Sequence, residues 1–247
     1  MVDICFVSHS RTVEDQDSSM VWTGIKKGVK DEAIRCNLSI ETFSPIIHYF
    51  DVDEYRKYVG IAVKKNPKFL IISGAIDCSD LIKNFPGVCV IVNTKPDWEV
   101  PIPCYYVGMD DFQAGQMAGE NFINEKFLTV LRHENVHAGH QKRVNGIREI
   151  FSGKIDEIFF NPEGNNPLPI KYSENIIVLG VKGAEKLIEE KISPQKLVIF
   201  DYKEELKAKL PNSKILFIEQ DPYTQGTCAV CALFEKRDIL IKPTAIF

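Results

Sequence analysis

Short apolar runs rich in Val, Ile, Leu and Phe recur along the whole chain, and an amphipathic stretch with helical spacing separates most successive runs. The runs are nearly continuous rather than alternating apolar with polar. Strands with that pattern are buried on both faces, which is the condition of a parallel sheet covered by helices. The pattern predicts strands over 3–9, 38–43, 68–74, 88–93, 104–109, 127–132, 156–161, 175–180, 196–201 and 214–220. Between them it predicts helices over 19–35, 52–65, 79–84, 110–124, 140–152, 183–191 and 204–210, with one more opening near Tyr223. The first helix turns Val21, Ile25 and Val29 to one face, and Asp110 or Asp111 caps the helix over 110–124. The β-α grammar of the first half repeats in the second with no low-complexity linker. Two lobes of similar build, joined by several short crossings, fit this better than two separate beads.

At 247 residues, with 45% apolar and 26% charged side chains, the chain has the profile of an ordinary globular protein. Its net charge of −4 lacks the basic footprint of a nucleic-acid-binding surface. No stretch approaches the roughly 20 apolar residues of a membrane-spanning helix. Met1-Val2-Asp3 leads straight into an apolar run without the basic start and cleavage site of a signal peptide. With Met1 as the native start, this places the chain in the cytoplasm; a trimmed start would leave a periplasmic or extracellular origin open. The seven cysteines lack framework spacing. Cys5, Cys89 and Cys104 fall in apolar runs, where a free thiol packs as a small hydrophobe. Cys228 and Cys231 stand one helical turn apart and read as packing residues, a usage suited to a reducing compartment.

The segments that follow the strands are polar: 8–19, 73–80, 93–98, 161–164, 201–205 and 220–226. All lie at carboxyl ends of predicted parallel strands, the edge where open α/β sheets hold ligands. Amides, carboxylates and a guanidinium there offer fixed fork geometry to a hydroxyl-rich solute.

Several runs carry a resemblance. FIEQDPYTQGTCAVCALFE, at 217–235, resembles the Q-x-P-x-x-x-G stretch of the type I periplasmic-binding-protein superfamily, which includes ribose-like solute-binding proteins and the effector domains of lactose-repressor-type regulators. The opening strand and the helix bearing VWTGIKKGVKDEA, the run PGVCVIVNTKPD, the crossover VGMDDFQAGQMAGENFI, the helix start HQKRVNGIREI and the strand LVIFDYKEELKAKL resemble further pieces of that superfamily, in the same order. The resemblance implies two Rossmann-like α/β lobes with parallel sheets, helices on both faces and a multi-strand hinge. One lobe would take 1–108 with 221–237, and the other 109–220 with 238–247. It implies binding of a small polar solute, most plainly a sugar, in a cleft between the lobes, with hinge closure read by a permease, a sensor kinase, a DNA-binding appendage or a homodimer partner. Carried over by position, Trp22 would be a stacking ring with Ser19 nearby, Asn93 a polar strand-end group and Arg143 a guanidinium donor. Asp201 would accept from solute hydroxyls and Gln220 would offer an amide. Replacing Arg143 or Asp201 with Ala would then abolish solute-induced stabilisation and leave the unliganded melting point nearly unchanged. Three departures stand out: Thr94 occupies the place of a second Arg, Gly180 the place of a polar side chain, and 161–175 is too short for the usual strand–helix–strand passage, so the second lobe is shortened.

Each of these residues also has a plainer reading. Trp22 can be core, Arg143 a surface helix residue, Asp201 and Gln220 turn and cap groups, and Asn93 a turn former. Residues 133–140 contain a literal H-E-x-x-H, in which His133 and His137 would grip zinc from one helical face with Glu134 as base. The motif follows directly on a strand and Gly139 interrupts the next turn, so a solvated loop is the preferred reading. No G-x-S-x-G elbow, Walker-type loop or dinucleotide fingerprint is present, and no cofactor is implied. The alternatives to a non-catalytic transport or sensing protein are the effector core of a lactose-repressor-like transcriptional regulator, a degenerate interaction module that keeps the fold without ligand, and a metal-binding hydrolase using the 133–140 cluster.

Overall fold

The computed structural model describes residues 2–8, 16–44, 52–133, 138–161, 164 and 166–247, with only the backbone described over 16–20. In chain order the elements are β1 (Ile4–Val7), α1 (Gln16–Arg35), β2 (Ile40–Phe43), α2 (Val52–Lys64), β3 (Phe69–Ser73), α3 (Ser79–Ile82), β4 (Val88–Val92) and β5 (Cys104–Met109). There follow α4 (Asp111–Glu120), β6 (Phe127–His133), α5 (Ala138–Ile150), β7 (Lys154–Phe160), β8 (Asn175–Val178), α6 (Val181–Glu189) and β9 (Lys196–Phe200). The chain ends with α7 (Glu205–Lys209), β10 (Lys214–Glu219), α8 (Pro222–Glu235), β11 (Ile239–Ile241) and β12 (Thr244–Ile246). It divides into two compact units, Met1–Met109 with Asp221–Ile241 and Asp110–Gln220 with Lys242–Phe247.

In the first unit the strand order is β11-β5-β4-β3-β1-β2, with neighbouring strands parallel throughout. Successive residues of each strand point to opposite faces. Ile4 and Phe6 of β1 join Ile71, Val90 and Val92 beneath α1 and α8, whereas Cys5 and Val7 join Leu70, Ile72 and Ile91 beneath α2 and α3. Both faces are therefore apolar, which is why the strands read as unbroken runs. β11 escapes the pattern: it is short and part-exposed, and pairs with β5 at Ile239↔Val107.

The second unit repeats this plan in the order β12-β10-β9-β8-β6-β7, parallel except for β12, which runs antiparallel to β10. The final segment, 238–247, is thus split, β11 completing one sheet and β12 the other. Between β7 and β8 the described residues form no helix. An extended strap replaces it: Leu168 and Ile170 pack into the core beside Ala184, Leu187 and Leu206. The Leu168 N–H donates to the Glu190 carboxylate at 2.9 and 3.0 Å, which satisfies a backbone group that a helix would have satisfied internally.

Each unit also carries one close helix crossing. Gly28 of α1 meets Gly226 of α8, and a Cβ on Gly226 would lie 2.1 Å from the Ile25 carbonyl oxygen. In the second unit Gly115 of α4 faces Gly146 of α5, and a Cβ on Gly115 would lie 2.0 Å from the Arg143 carbonyl oxygen. Only glycine permits such an approach. The close α4–α5 crossing also fixes where the Arg143 side chain starts.

Candidate functional site

The strand order in each unit reverses beside its first strand, between β1 and β3 and between β6 and β8. The carboxyl ends at such a reversal leave a crevice. At that edge of the second unit, Arg143 leaves the first half of α5 and is 5% exposed. Its Nε donates to Asp111 Oδ1 at 2.8 Å, its Nη1 reaches the Leu179 carbonyl at 3.4 Å, and its guanidinium lies 4.6 Å from the centre of the Phe200 ring. Asp201 follows Phe200 directly, in a left-handed conformation with φ 74°. Asp tolerates that conformation better than most residues. The Asp201 N–H donates to the Ile218 carbonyl at 3.0 Å, and Gln220 Nε2 donates to Asp201 Oδ1 at 2.5 Å. Burial is the largest influence on the Asp201 carboxyl and raises its pKa; the Arg143 charge and the Gln220 amide pull it back, and Asp111 adds to the rise. Arg143, Asp201 and Gln220 therefore come together as one polar cluster.

Asn93 occupies the corresponding place in the first unit, directly after β4, also with φ 74°. Its N–H donates to the Val107 carbonyl at 2.8 Å, its Nδ2 donates to Gln225 Oε1 at 3.3 Å, and its carbonyl accepts from the Tyr106 hydroxyl at 3.0 Å. Thr94 Oγ1 donates to Asn93 Oδ1 at 3.3 Å. Trp22 is 8% exposed and lies in the apolar cluster with Ile25, Val29, Val92 and Ala229. Ser19 falls within α1, and its side chain lies outside the described residues.

Asp111, Phe200 and Gln225 were not singled out from the sequence. Asp111 and its neighbour were both candidate caps. Asp110 takes that role, accepting from the Gln113 N–H at 3.1 Å, which leaves Asp111 to turn inward. For Gln225 the signal was an amide at a helix position that the fold buries completely.

His133 is the last residue of β6 and so does not open a helix; Glu134 and His137 lie outside the described residues. Among the described residues no group of three or more His, Cys, Asp or Glu side chains is arranged to hold a metal ion. A cavity of about 510 Å³ opens at the other end of this sheet, at the amino ends of β6 and β8, beside Phe127 and Tyr172. Those two rings stack on each other at 4.5 Å. The polar cluster lies at the carboxyl edge instead. Among the described residues no helix is long and apolar enough to cross a membrane.

No family model and no curated protein matches the chain. Solved structures do, over nearly its whole length. One is a putative LacI transcriptional regulator from Bacteroides fragilis, 15% identical with a TM-score of 0.78, covering 100% of this chain and 97% of its own. Another is a periplasmic ribose ABC transporter protein from Conexibacter woesei, 15% identical with a TM-score of 0.78, covering 99% and 91%. A third is a glucose-galactose binding protein from Geobacillus stearothermophilus, 18% identical with a TM-score of 0.75, covering 100% and 98%. The chain has the fold of the type I periplasmic binding proteins.

Proposed function

We propose that this protein binds a small, uncharged, hydroxyl-rich solute, a sugar or polyol, without chemically altering it. The observation that carries this reading is the cluster of Arg143, Asp201 and Gln220 at the carboxyl edge of a parallel sheet. A planar guanidinium donor, a carboxylate acceptor and an amide in one place match the alternating donors and acceptors of neighbouring hydroxyls. The Arg143 charge is answered by Asp111, so the cluster does not call for an anionic ligand. On this reading Asn93, with Ser19 and Trp22 from α1, supplies the solute contacts of the first unit. The solute favours whichever arrangement of the two units holds it best, and a permease, sensor kinase or second copy of the chain reads that state. Solved structures of the same fold, a periplasmic ribose ABC transporter protein and a glucose-galactose binding protein, support the solute class.

The test is thermal unfolding of the full chain against pentoses, hexoses, inositols and nucleosides. A solute present at 100 times its Kd should add about 2.7 kcal/mol of stability. If no member of a broad panel moves the transition, solute binding is refuted. A second reading, the effector core of a LacI-type regulator, is favoured by the Bacteroides fragilis match and by seven free cysteines, which suit a reducing compartment. A helix-turn-helix encoded directly upstream would select it.

A further inference from the structure

The cavity of about 510 Å³ lies at the amino edge of the second sheet, away from the Arg143–Asp201 cluster. Across that edge the strands run β10-β9-β8-β6-β7. β10, β9 and β7 begin at Lys214, Lys196 and Lys154, Lys126 directly precedes β6, and the central strand β8 begins at Asn175. A row of ammonium groups thus flanks one amide. Among the described residues only Lys196 of that row meets a carboxylate, that of Glu125. The first unit differs: at its amino edge Lys68 pairs with Asp3 at 2.7 Å.

The cavity wall is tied down by its own backbone. Thr129 Oγ1 donates to the Tyr172 carbonyl at 2.8 Å, and the Glu174 carbonyl accepts from the Gln195 and Lys196 N–H groups at 2.8 and 3.0 Å. The Tyr172 ring stacks on Phe127 at 4.5 Å, and Lys154 Nζ lies 5.9 Å from its centre. Asn175 lines the cavity and is only 8% exposed. Its Nδ2 donates to Glu125 Oε2 and to the Phe127 carbonyl, both at 3.3 Å, and no described residue donates to its Oδ1. An amide buried this far with an idle acceptor costs stability unless a ligand or water supplies the donor. Lys126, Lys171 and Glu174 also line the cavity, and among the described residues they form no ion pair.

We propose that this cavity is a second ligand site, and that it takes a small phosphate monoester whose body carries hydroxyls, a sugar phosphate. The uncommitted cations Lys126, Lys154 and Lys171 outnumber the uncommitted carboxylate Glu174 by two, which matches the phosphate dianion. Lysine binds phosphate as a compact point charge on a flexible stem, so three stems can converge on one group. A hydroxyl of the ester donates to Asn175 Oδ1, and the exposed Phe127 ring offers apolar surface to the sugar. The volume falls within the range of about 300–1,000 Å³ usual for small-molecule sites. The assignment stands whether or not the strand-tip cluster at the opposite edge holds a solute.

The experiment is titration calorimetry of the full chain at about pH 7.5, where a phosphate monoester is largely dianionic. The titrants are D-glucose 6-phosphate, D-ribose 5-phosphate, inorganic phosphate and succinate. At least one sugar phosphate should bind about tenfold or more tightly than inorganic phosphate or succinate. Lys126→Ala and Lys171→Ala should each weaken that ester about tenfold. Glu174→Gln should tighten it, because the opposed charge goes and an acceptor stays. All three side chains are exposed and unpaired, so each variant should keep the wild-type melting temperature. Failure of both esters to bind would overturn the proposal, as would weaker binding in Glu174→Gln. Inorganic phosphate or succinate binding as tightly as the esters would mean an adventitious ion only. Ester affinity unchanged in both lysine variants would place the ester elsewhere on the protein and refute this site.

Discussion

Arg143→Ala should destabilise this protein severely, and for a reason unconnected with any solute. Arg143 and Asp111 are 5% and 7% exposed and meet at 2.8 Å. Removing the guanidinium leaves a buried carboxylate without its cation, which costs about 3–5 kcal/mol in comparable buried pairs. The Phe200 ring also loses a guanidinium at 4.6 Å, worth about 0.5–2 kcal/mol. Asp111 recovers a little from its place in the first turn of α4, about 0.3–1 kcal/mol. The net loss is about 2.5–7 kcal/mol, which for a chain of this size lowers the Tm by about 5–28 °C. The sequence-based expectation that the unliganded Tm would barely change therefore gives way to the burial of this pair. Charge removal is separated from charge orphaning by the double variant Asp111→Leu/Arg143→Met, which should regain most of the loss because no buried charge is left alone. Urea unfolding followed by circular dichroism provides the measurement. A cost under about 1 kcal/mol for Arg143→Ala would mean that the pair behaves as a hydrated surface bridge. A double variant no more stable than the single one would refute the orphaned-charge argument as well.

Three further substitutions probe separate parts of the architecture. Because the folded state raises the Asp201 pKa, this group's contribution to stability is complete below the unfolded value of about 3.9 and is lost as pH rises through the folded pKa. Asp201→Asn keeps an acceptor for Gln220 and tolerates φ 74°, so it should stabilise the protein at pH 7 and add nothing at about pH 3; urea midpoints that match at pH 7 would refute the desolvation argument. Gly226→Ala drives a Cβ into the Ile25 carbonyl and should cost about 1–3 kcal/mol, whereas Gly60→Ala, whose Cβ meets only Leu81 at 4.0 Å, should gain about 0.5–1 kcal/mol of helix stability. Equal effects in a thermal melt would remove the close crossing from the account.

The alternation of buried strands and amphipathic helices was legible because both faces of each sheet are covered, so the inner strands announced themselves as nearly unbroken apolar runs, while the edge strands β2 and β7 are less buried and carry polar residues. β11 and β12 were missed for the converse reason: they are three-residue edge strands, part-exposed, and carry no such run. The shortened passage between β7 and β8, whose described residues form no helix, was readable as a length, but Leu168 and Ile170 packing into the core there was not, since two isolated apolar residues have no period. At the site, strand-end polarity pointed to Asn93, Arg143, Asp201 and Gln220, while their partners escaped. Asp111 was hidden by an adjacent capping Asp, and Gln225 by a helix whose inward face is fixed only by packing. His133 and His140 were visible, but as parts of a zinc motif. Only the observation that β6 runs to His133, with the His140 ring of α5 at 6.1 Å, moves them to the strand-tip edge.

The two units meet one local problem with one solution, and one difference between the two versions carries chemical weight. In each, the residue after the fourth strand turns left-handed at φ 74° and donates its N–H to a carbonyl of the fifth strand, Val107 in one and Ile218 in the other. In each, a glutamine amide then holds its side chain, Gln225 for Asn93 and Gln220 for Asp201. The backbone demand is the same, and Asn and Asp are the residues other than glycine that meet it most readily. Their hydrogen-bonding capacity is not the same. Asn93 both donates and accepts, whereas an ionised Asp201 only accepts and obliges whatever faces it to donate. A hydroxyl does so without bringing charge, and the nearby Arg143, already paired with Asp111, does not cancel the carboxylate outright. The asymmetry between amide and acid thus gives one strand tip latitude and the other a strict demand for a donor.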